Sequence, residues 1–380
     1  MDLFLIHYIL TSQEKDDFMR YLILSPYAIN GTKNAGDDLI VKSLIFLLNS
    51  FKKDIDKEIF YDIVSIANST LDKEDILKKI KFSEYDKILI PGFRIDVVGQ
   101  EVLSTRIRYI EKAIINNIPI FLIGSSWCVF PGIIEQTNLK INPKIKALIK
   151  YIIKDNRSLI TARDLFTCEL LKNNGINVDV TGDLALFDFN KINTKIDDNK
   201  IEKIAISLPH NINFYKNCIK LREYLENKFK FKVFIVTQQY LANNKSYKEL
   251  FGEANNLEWY KNIDMHIGFR LHAHLWFLRN RKPSILIAED GRGWGHINTF
   301  DDIGIHAAPK YILDYFKKKQ NESNIFKKIN TNLLLNSDII NIFNNEFDNN
   351  FKKNKEVIRK IDEIFEEKVK SMIFKILEDL

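Results

Sequence analysis

Arg270 and His272 are the pair in this chain whose types and spacing could do chemistry. They lie in the run Asp264-Met265-His266-Ile267-Gly268-Phe269-Arg270-Leu271-His272-Ala273-His274. The run reads as a short apolar strand, a glycine turn and the start of a helix. Arg270 can hold a phosphate or carboxylate in a fork, the helix N-terminus adds partial positive charge, and His272 exchanges a proton near neutral pH. The expected unit is an anion site with a titrating neighbour. His210, in Ser207-Leu208-Pro209-His210-Asn211, follows the first strand of the same unit and is expected to face the same cleft. His266 lies within the strand, and His274 falls two residues after His272, on another face of the helix. That spacing disfavours a zinc site from His272 and His274, and no metal is expected.

Four further segments follow strands, where open α/β sheets place their ligands. In Asn34-Ala35-Gly36-Asp37-Asp38, Gly36 permits a tight turn and Asp37 or Asp38 can cap the next helix. Capping alone is the plain alternative to a role in binding. In Ala162-Arg163-Asp164, Asp164 is a plausible N-cap, and Arg163 is either structural or a contact to an anion or the other domain. In Thr181-Gly182-Asp183-Leu184-Ala185-Leu186, Asp183 either accepts from a substrate hydroxyl or fixes an interdomain turn. Glu289-Asp290-Gly291-Arg292-Gly293-Trp294-Gly295 follows what reads as the final strand. Its glycines could bring backbone close to a ligand and Arg292 adds a second cation, although a plain loop has the same composition.

These residues need elements to position them. Short β-branched runs at residues 21–25, 58–64, 87–90, 119–123, 158–161 and 178–181 alternate with helical patterns, which predicts parallel strands joined by crossover helices. Residues 190–199 are polar and without apolar periodicity, so they read as a linker. A second alternating unit has strands at 203–207, 232–236, 265–267 and 284–287. The fold class expected is α/β, with two Rossmann-like domains facing a cleft and a helical C-terminal tail. Residues 1–190 form the N-terminal domain, 200–310 the C-terminal domain, and 311–380 the extension. In that extension Val357, Ile361, Ile364, Phe365, Val369, Met372, Ile373 and Ile376 share one helical stripe. A near-neutral amphipathic helix is expected to pack on its own protein or on a second subunit rather than on a membrane.

Composition narrows the function classes. With 380 residues, 46% hydrophobic and 28% charged, the chain has material for two cores. A net charge of +6, spread without a basic stripe, argues against nucleic acid and for an anionic small molecule or a membrane surface. Cys128, Cys168 and Cys218 form no metal or CxxC pattern, which fits a reducing cytoplasm. The apolar run at residues 1–10 is too short to span a bilayer and lacks signal-peptide features, so a soluble or at most peripheral protein is expected.

The order of these motifs, Asn-x-Gly-Asp early, Ala-Arg-Asp and Gly-Asp-x-Ala-Leu in the middle and Arg-Leu-His-Ala late, resembles the polysaccharide pyruvyl transferase family, from Asn34 to about Pro283. The resemblance implies two Rossmann-like halves about a cleft, a GT-B-like arrangement, with the acceptor on the N-terminal side and the donor on the C-terminal side. It implies transfer of the pyruvyl group of phosphoenolpyruvate onto two hydroxyls of one sugar, forming a ketal and releasing phosphate. Arg270, Leu271 and His272 would form the donor site, with His210 or Asp37 as a second proton carrier and no cofactor besides the donor substrate. The acceptor would be a glycan or lipid-linked oligosaccharide, handled in the cytoplasm or at the inner membrane face, by a monomer or a homo-oligomer. The chain departs from the family at Leu208-Pro209-His210, where relatives commonly carry an arginine. It departs again at Ala288-Glu289-Asp290-Gly291-Arg292, where many have a Tyr-Asp-x-Lys segment; Arg292 could replace that lysine and His210 that arginine. A nucleotide-sugar glycosyltransferase, with Glu289 or Asp290 on the ribose and Arg270 on the diphosphate, is the alternative on this fold. A non-catalytic glycan-assembly protein is the third reading.

Overall fold

The computed structural model describes residues 18–25, 35–52, 57–65, 77–100, 104–196, 200–209, 214–237, 252–253, 257–319 and 338–378. Asn34 and His210 lie outside them. The first sheet contains β1 (Phe18–Ser25), β2 (Glu58–Ser65), β3 (Lys87–Pro91), β5 (Ile120–Trp127), β6 (Leu159–Ala162) and β7 (Asp179–Val180), in the order β2-β1-β3-β5-β6-β7, while β4 (Arg94–Ile95) pairs with the end of β5. All its pairs are parallel. The second sheet has β8 (Lys203–Ser207), β9 (Lys232–Thr237), β10 (Gly252–Glu253), β11 (Met265–Gly268), β12 (Ser284–Ala288) and β13 (Gly304–His306), in the order β10-β9-β8-β11-β12-β13. Relative to chain order this is the Rossmann arrangement, with the reversal between β8 and β11 where ligands of such sheets bind.

Strands buried on both faces explain the sequence pattern. Every residue of β3, β5 and β12 is buried, so each reads as an apolar run with no alternation, as a parallel sheet covered by helices requires. The helices are α1 (Ala35–Phe51), α2 (Ser104–Ile115), α3 (Pro143–Lys154), α4 (Leu165–Asn173), α5 (Tyr215–Phe229), α6 (Leu271–Arg279), α7 (Gly291–Phe300), α8 (Lys310–Lys318), α9 (Asp338–Asp348), α10 (Lys352–Ile364) and α11 (Lys370–Leu377).

Three sequence-based expectations need correction. β10 and β13 are strands of two and three residues, too short for a periodicity signal. The segment after β12 is no loop, and β12 is not the final strand: Asp290 caps α7, its Oδ1 accepting the Arg292 amide at 2.9 Å. Its glycines lower helix propensity and so read as loop, but a Cβ would fall 3.0 Å from Trp127 at Gly291, 3.0 Å from Ala288 Cβ at Gly293 and 2.5 Å from Asp164 Oδ1 at Gly295. Gly36 is likewise inside the first turn of α1 rather than in a turn before it.

The C-terminal segment returns to the first sheet. α8 and α9 place Ile312, Phe316, Ile339 and Phe343 in the core of the second sheet. From α10 to α11, Val357, Ile361, Phe365, Val369, Met372, Ile373 and Ile376 instead join Tyr21, Ile23, Leu44 and Leu89 in the core of the first. The Tyr21 hydroxyl donates to the Ile376 carbonyl at 2.9 Å, and the buried Lys87 ammonium donates to the same oxygen at 2.7 Å. The apolar stripe is therefore consumed within the chain.

Candidate active site between the sheets

The turn from β11 into α6 is clamped from β8. A Cβ on Gly268 would lie 2.5 Å from Ser207 Oγ and 2.6 Å from its amide nitrogen, so only glycine lets the strands approach this closely. Phe269 N–H donates to the Ser207 carbonyl at 3.2 Å and Arg270 N–H to Ser207 Oγ at 2.9 Å. The Arg270 Nε–H donates to the Leu208 carbonyl at 2.8 Å. As N-cap of α6, Arg270 supplies no side-chain acceptor, so the first-turn amides keep their affinity for an anion. Burial lowers the Arg270 pKa to about 10, with the Glu289 carboxylate opposing that shift. Arg270 is therefore a full cation at neutral pH.

Within the first turn of α6, His272 reaches the first sheet. Its Nε2 lies 3.6 Å from Asp183 Oδ2, too far for a hydrogen bond, and its ring packs on Gly36, where a Cβ would fall 2.6 Å from His272 Cβ. Asp183 caps the short turn Leu184–Leu186, Oδ1 accepting the Ala185 amide at 2.9 Å, while Oδ2 accepts from Arg163 Nη1 at 3.1 Å. Burial opposes ionisation of this carboxyl, but His272 and the Arg163 charge outweigh it and hold it well below the usual carboxylate range. Arg163 is 4% exposed. Its Nε and Nη2, and His272 Nε2, are buried without a hydrogen-bond partner. Arg163 Nε lies 3.9 Å from Asp164 Oδ2, so two unspent guanidinium nitrogens and one unspent ring nitrogen stand beside two carboxylates; they call for an explanation, and a ligand with several oxygens would satisfy them.

Glycines close the two sheets on each other. A Cβ on Gly132 would overlap the Gly291 backbone, whose N–H donates to the Val129 carbonyl at 2.9 Å, and a Cβ on Gly295 would fall 2.5 Å from Asp164 Oδ1. Asp164 caps α4 by accepting the Thr167 amide at 2.8 Å, and burial pushes its pKa up to about 6. Arg292, a third exposed, is committed to Asp290, with Nη2 2.6 Å from Oδ2; Cys128 and Asp37 also act on its charge.

The structure thus brings Gly36, Arg163, Asp183 and His272 together by contact, while Arg270, two residues before His272, interacts through its charge with Glu289 and Arg292. Leu271 is partly buried against Leu286 and Ala288. Asp37, Asp290 and Arg292 form a second charged group. To that group the fold adds Arg94, 2.5 Å from Asp96, and Arg106, whose Nε has no hydrogen-bond partner and whose charge senses Asp37 and Asp96. The sequence reading missed these three, since β4 has two residues and no pattern; the strand-end position after Gly92 was the available signal. Among the described residues, His274, His296 and Asp302 are the grouping with metal-ligand types within 4.8 Å. Their Nε2 to Oδ2 distances of 2.6 and 2.7 Å are those of charge-assisted hydrogen bonds.

No helix among the described residues is long and apolar enough to cross a membrane. Comparison with curated proteins found no match. Among solved structures, the chain is similar to the UDP-N-acetylglucosamine 2-epimerase from Rickettsia bellii, at 14% identity and a TM-score of 0.45, covering 93% of this chain and 98% of that one. It is also similar to a putative UDP-N-acetylglucosamine 2-epimerase from Listeria monocytogenes, at 8% identity and a TM-score of 0.48, covering 90% of each. For the glycosyltransferase SnogD from Streptomyces nogalater, identity is 11%, TM-score 0.43, and coverage 92% of this chain and 96% of that one. The model of the family described as polysaccharide pyruvyl transferase matches residues 34–291. That span takes in Gly36, Arg163, Asp183, Arg270 and His272, and exceeds half of the 380 residues: the chain belongs to the polysaccharide pyruvyl transferase family.

Proposed function

We propose that the protein transfers the pyruvyl group of phosphoenolpyruvate to two hydroxyls of one sugar in a surface polysaccharide or its precursor, forming a cyclic ketal and releasing phosphate. The observation that carries the proposal is the set of unspent buried nitrogens on Arg163 and His272 at the N-terminus of α6, which has no side-chain cap. A donor bearing a phosphate and a carboxylate needs such a set, and the cationic Arg270 turn lies next to it.

The chemistry balances without an external oxidant or reductant. One acceptor hydroxyl adds to C2 of the enol phosphate while the methylene carbon gains a proton and becomes methyl. The C2–O bond to phosphate then breaks, and the second hydroxyl adds at C2. Of the two hydroxyl protons, one ends on the methyl group and the other on the released phosphate. We assign the proton transfer to His272, with the ionised Asp183 carboxylate, 3.6 Å from Nε2, acting on the ring through its charge and not through a hydrogen bond. Arg163 and Arg270 neutralise the donor and the departing phosphate.

The nucleotide-sugar alternative asks Glu289 or Asp290 to hold ribose hydroxyls. Asp290 already caps α7 with Oδ1 and pairs with Arg292 through Oδ2, which leaves Glu289 as the acidic residue for that role. The test is incubation with phosphoenolpyruvate and a panel of free and lipid-linked glycans, following phosphate release and acceptor mass. Acceptor-dependent release is expected. Absence of release with every acceptor, together with tight binding of a nucleotide sugar, would promote the alternative.

A further inference from the structure

One carboxylate joins the two helices whose N-termini carry the cations of the site. Asp302, between α7 and β13, accepts at Oδ2 from His274 Nε2 of α6 at 2.6 Å and from His296 Nε2 of α7 at 2.7 Å, and at Oδ1 from the Ile303 amide at 2.5 Å. The imidazoles are 0% and 2% exposed. Burial opposes ionisation of Asp302, yet the two histidines hold its carboxyl well below the usual range.

From His274 the bonding continues to the Arg270 amide. His274 Nδ1 meets Ser284 Oγ at 2.8 Å, Ser284 Oγ meets His266 Nδ1 at 2.8 Å, and His266 Nε2 meets Ser207 Oγ at 2.8 Å. Ser207 Oγ then accepts Arg270 N–H at 2.9 Å. The two ends dictate the direction of every bond when the rings are neutral. A carboxylate only accepts, so His274 Nε2 carries the hydrogen, leaving Nδ1 to accept from the Ser284 hydroxyl. Ser284 oxygen accepts from His266 Nδ1–H, and His266 Nε2 accepts from the Ser207 hydroxyl. Burial keeps His266 neutral. One tautomer set satisfies the whole chain, and it ends on the amide of the residue that begins the anion-binding turn.

We propose that Asp302, His274 and His296, with the Ser284–His266–Ser207 relay, are positioning residues for the donor site: a single carboxylate sets the spacing of the N-termini of α6, bearing Arg270 and His272, and α7, bearing Arg292. The inference rests on the reading of that turn as the donor site.

The experiment compares the wild type with His296→Leu, which cannot donate, and His296→Gln, whose amide can replace the Nε2–H. The readouts are KM and kcat with phosphoenolpyruvate, affinity for inorganic phosphate, and melting temperature. His296→Leu is expected to raise KM about tenfold and weaken phosphate binding by a similar factor, from the loss of one charge-assisted bond, with kcat falling less than about threefold. His296→Gln is expected to recover most of both. Unchanged KM and phosphate affinity in a folded His296→Leu protein would overturn the inference, as would one equivalent of zinc bound by the wild type and lost in His296→Gln. A wild type that binds phosphate but neither binds nor turns over phosphoenolpyruvate sinks the donor assignment alone. Should His296→Leu fail to fold, nitrogen NMR of the wild-type histidines decides. Hydrogen on Nε2 of His274 and Nδ1 of His266 is expected, and the reverse set overturns the proposal.

Discussion

Gly36→Ala tests the candidate site through two effects of opposite sign. Gly36 lies in the first turn of α1 and its φ is not in the left-handed region, so alanine suits the backbone and would by itself add up to about 1 kcal/mol of helix stability. The new methyl, however, would lie 2.6 Å from His272 Cβ, and closer still to Cγ and Nδ1. Rotation about χ1 can carry the ring atoms away but not Cβ, which is fixed to the backbone of α6. Restoring an ordinary carbon contact of about 3.5–4.0 Å therefore separates α1 from α6 by about 1 Å. A displacement of that size at a reacting group costs on the order of 100-fold in rate. The expected outcome is a melting temperature within a few degrees of wild type and kcat/KM for acceptor-dependent phosphate release about 100-fold lower. A variant that keeps more than about a third of wild-type kcat/KM would refute the packing of Gly36 on His272.

Three other outcomes are expected. His272→Ala should lose most turnover while binding phosphoenolpyruvate better than Arg270→Ala does, measured by calorimetry and steady-state kinetics; equal loss of binding in both would make His272 a phosphate ligand. Asp164→Asn should stabilise the protein at pH 7.5 and have little effect near pH 4, by denaturant melts at the two values. The folded Asp164 pKa of about 6 lies above its ordinary 3.8, so the folded state binds more protons between those values. Stability then falls as pH rises through that window, by an amount on the order of 3 kcal/mol, which the amide removes. Deleting residues 350–380 takes Val357, Ile361, Phe365, Val369, Ile373 and Ile376 out of the first-sheet core. At about 1.5–3 kcal/mol each, the six come to about 9–18 kcal/mol, comparable to the whole of a typical stability of about 5–15 kcal/mol, so no folded first sheet is expected by hydrogen exchange; a protected β1 would contradict the assignment.

Much of the site was legible because its residues follow strands. Arg270, His272, Arg163 and Asp183 could each be read from an apolar run ending in a turn before a helix. Apart from β4, β10 and β13, which are too short to carry a pattern, the strands were visible as β-branched runs, since β3, β5 and β12 are buried on both faces. Residues whose roles depend on what lies opposite were misread or passed over. Gly36 and Gly291 looked like turn glycines, yet both lie inside helices and lack a Cβ because His272 and Trp127 occupy that space. His266 and His274 looked idle when only their own elements were considered. Their partners, Ser207, Ser284 and Asp302, come from other strands and turns.

The sequence by itself determined the α/β class, the two alternating units, the helical stripe of the tail and the cationic turn at Arg270-Leu271-His272. Those properties follow from hydrophobic period and local turn chemistry, which a short window contains. Tertiary structure decided that Arg163 and Asp183 of one sheet meet His272 of the other, and that the tail closes the first core rather than a second subunit. It also decided that Asp302 ties α6 to α7. Each is a contact between residues far apart in the chain, fixed by which faces remain to be buried once the local elements have formed, and no local pattern encodes that choice.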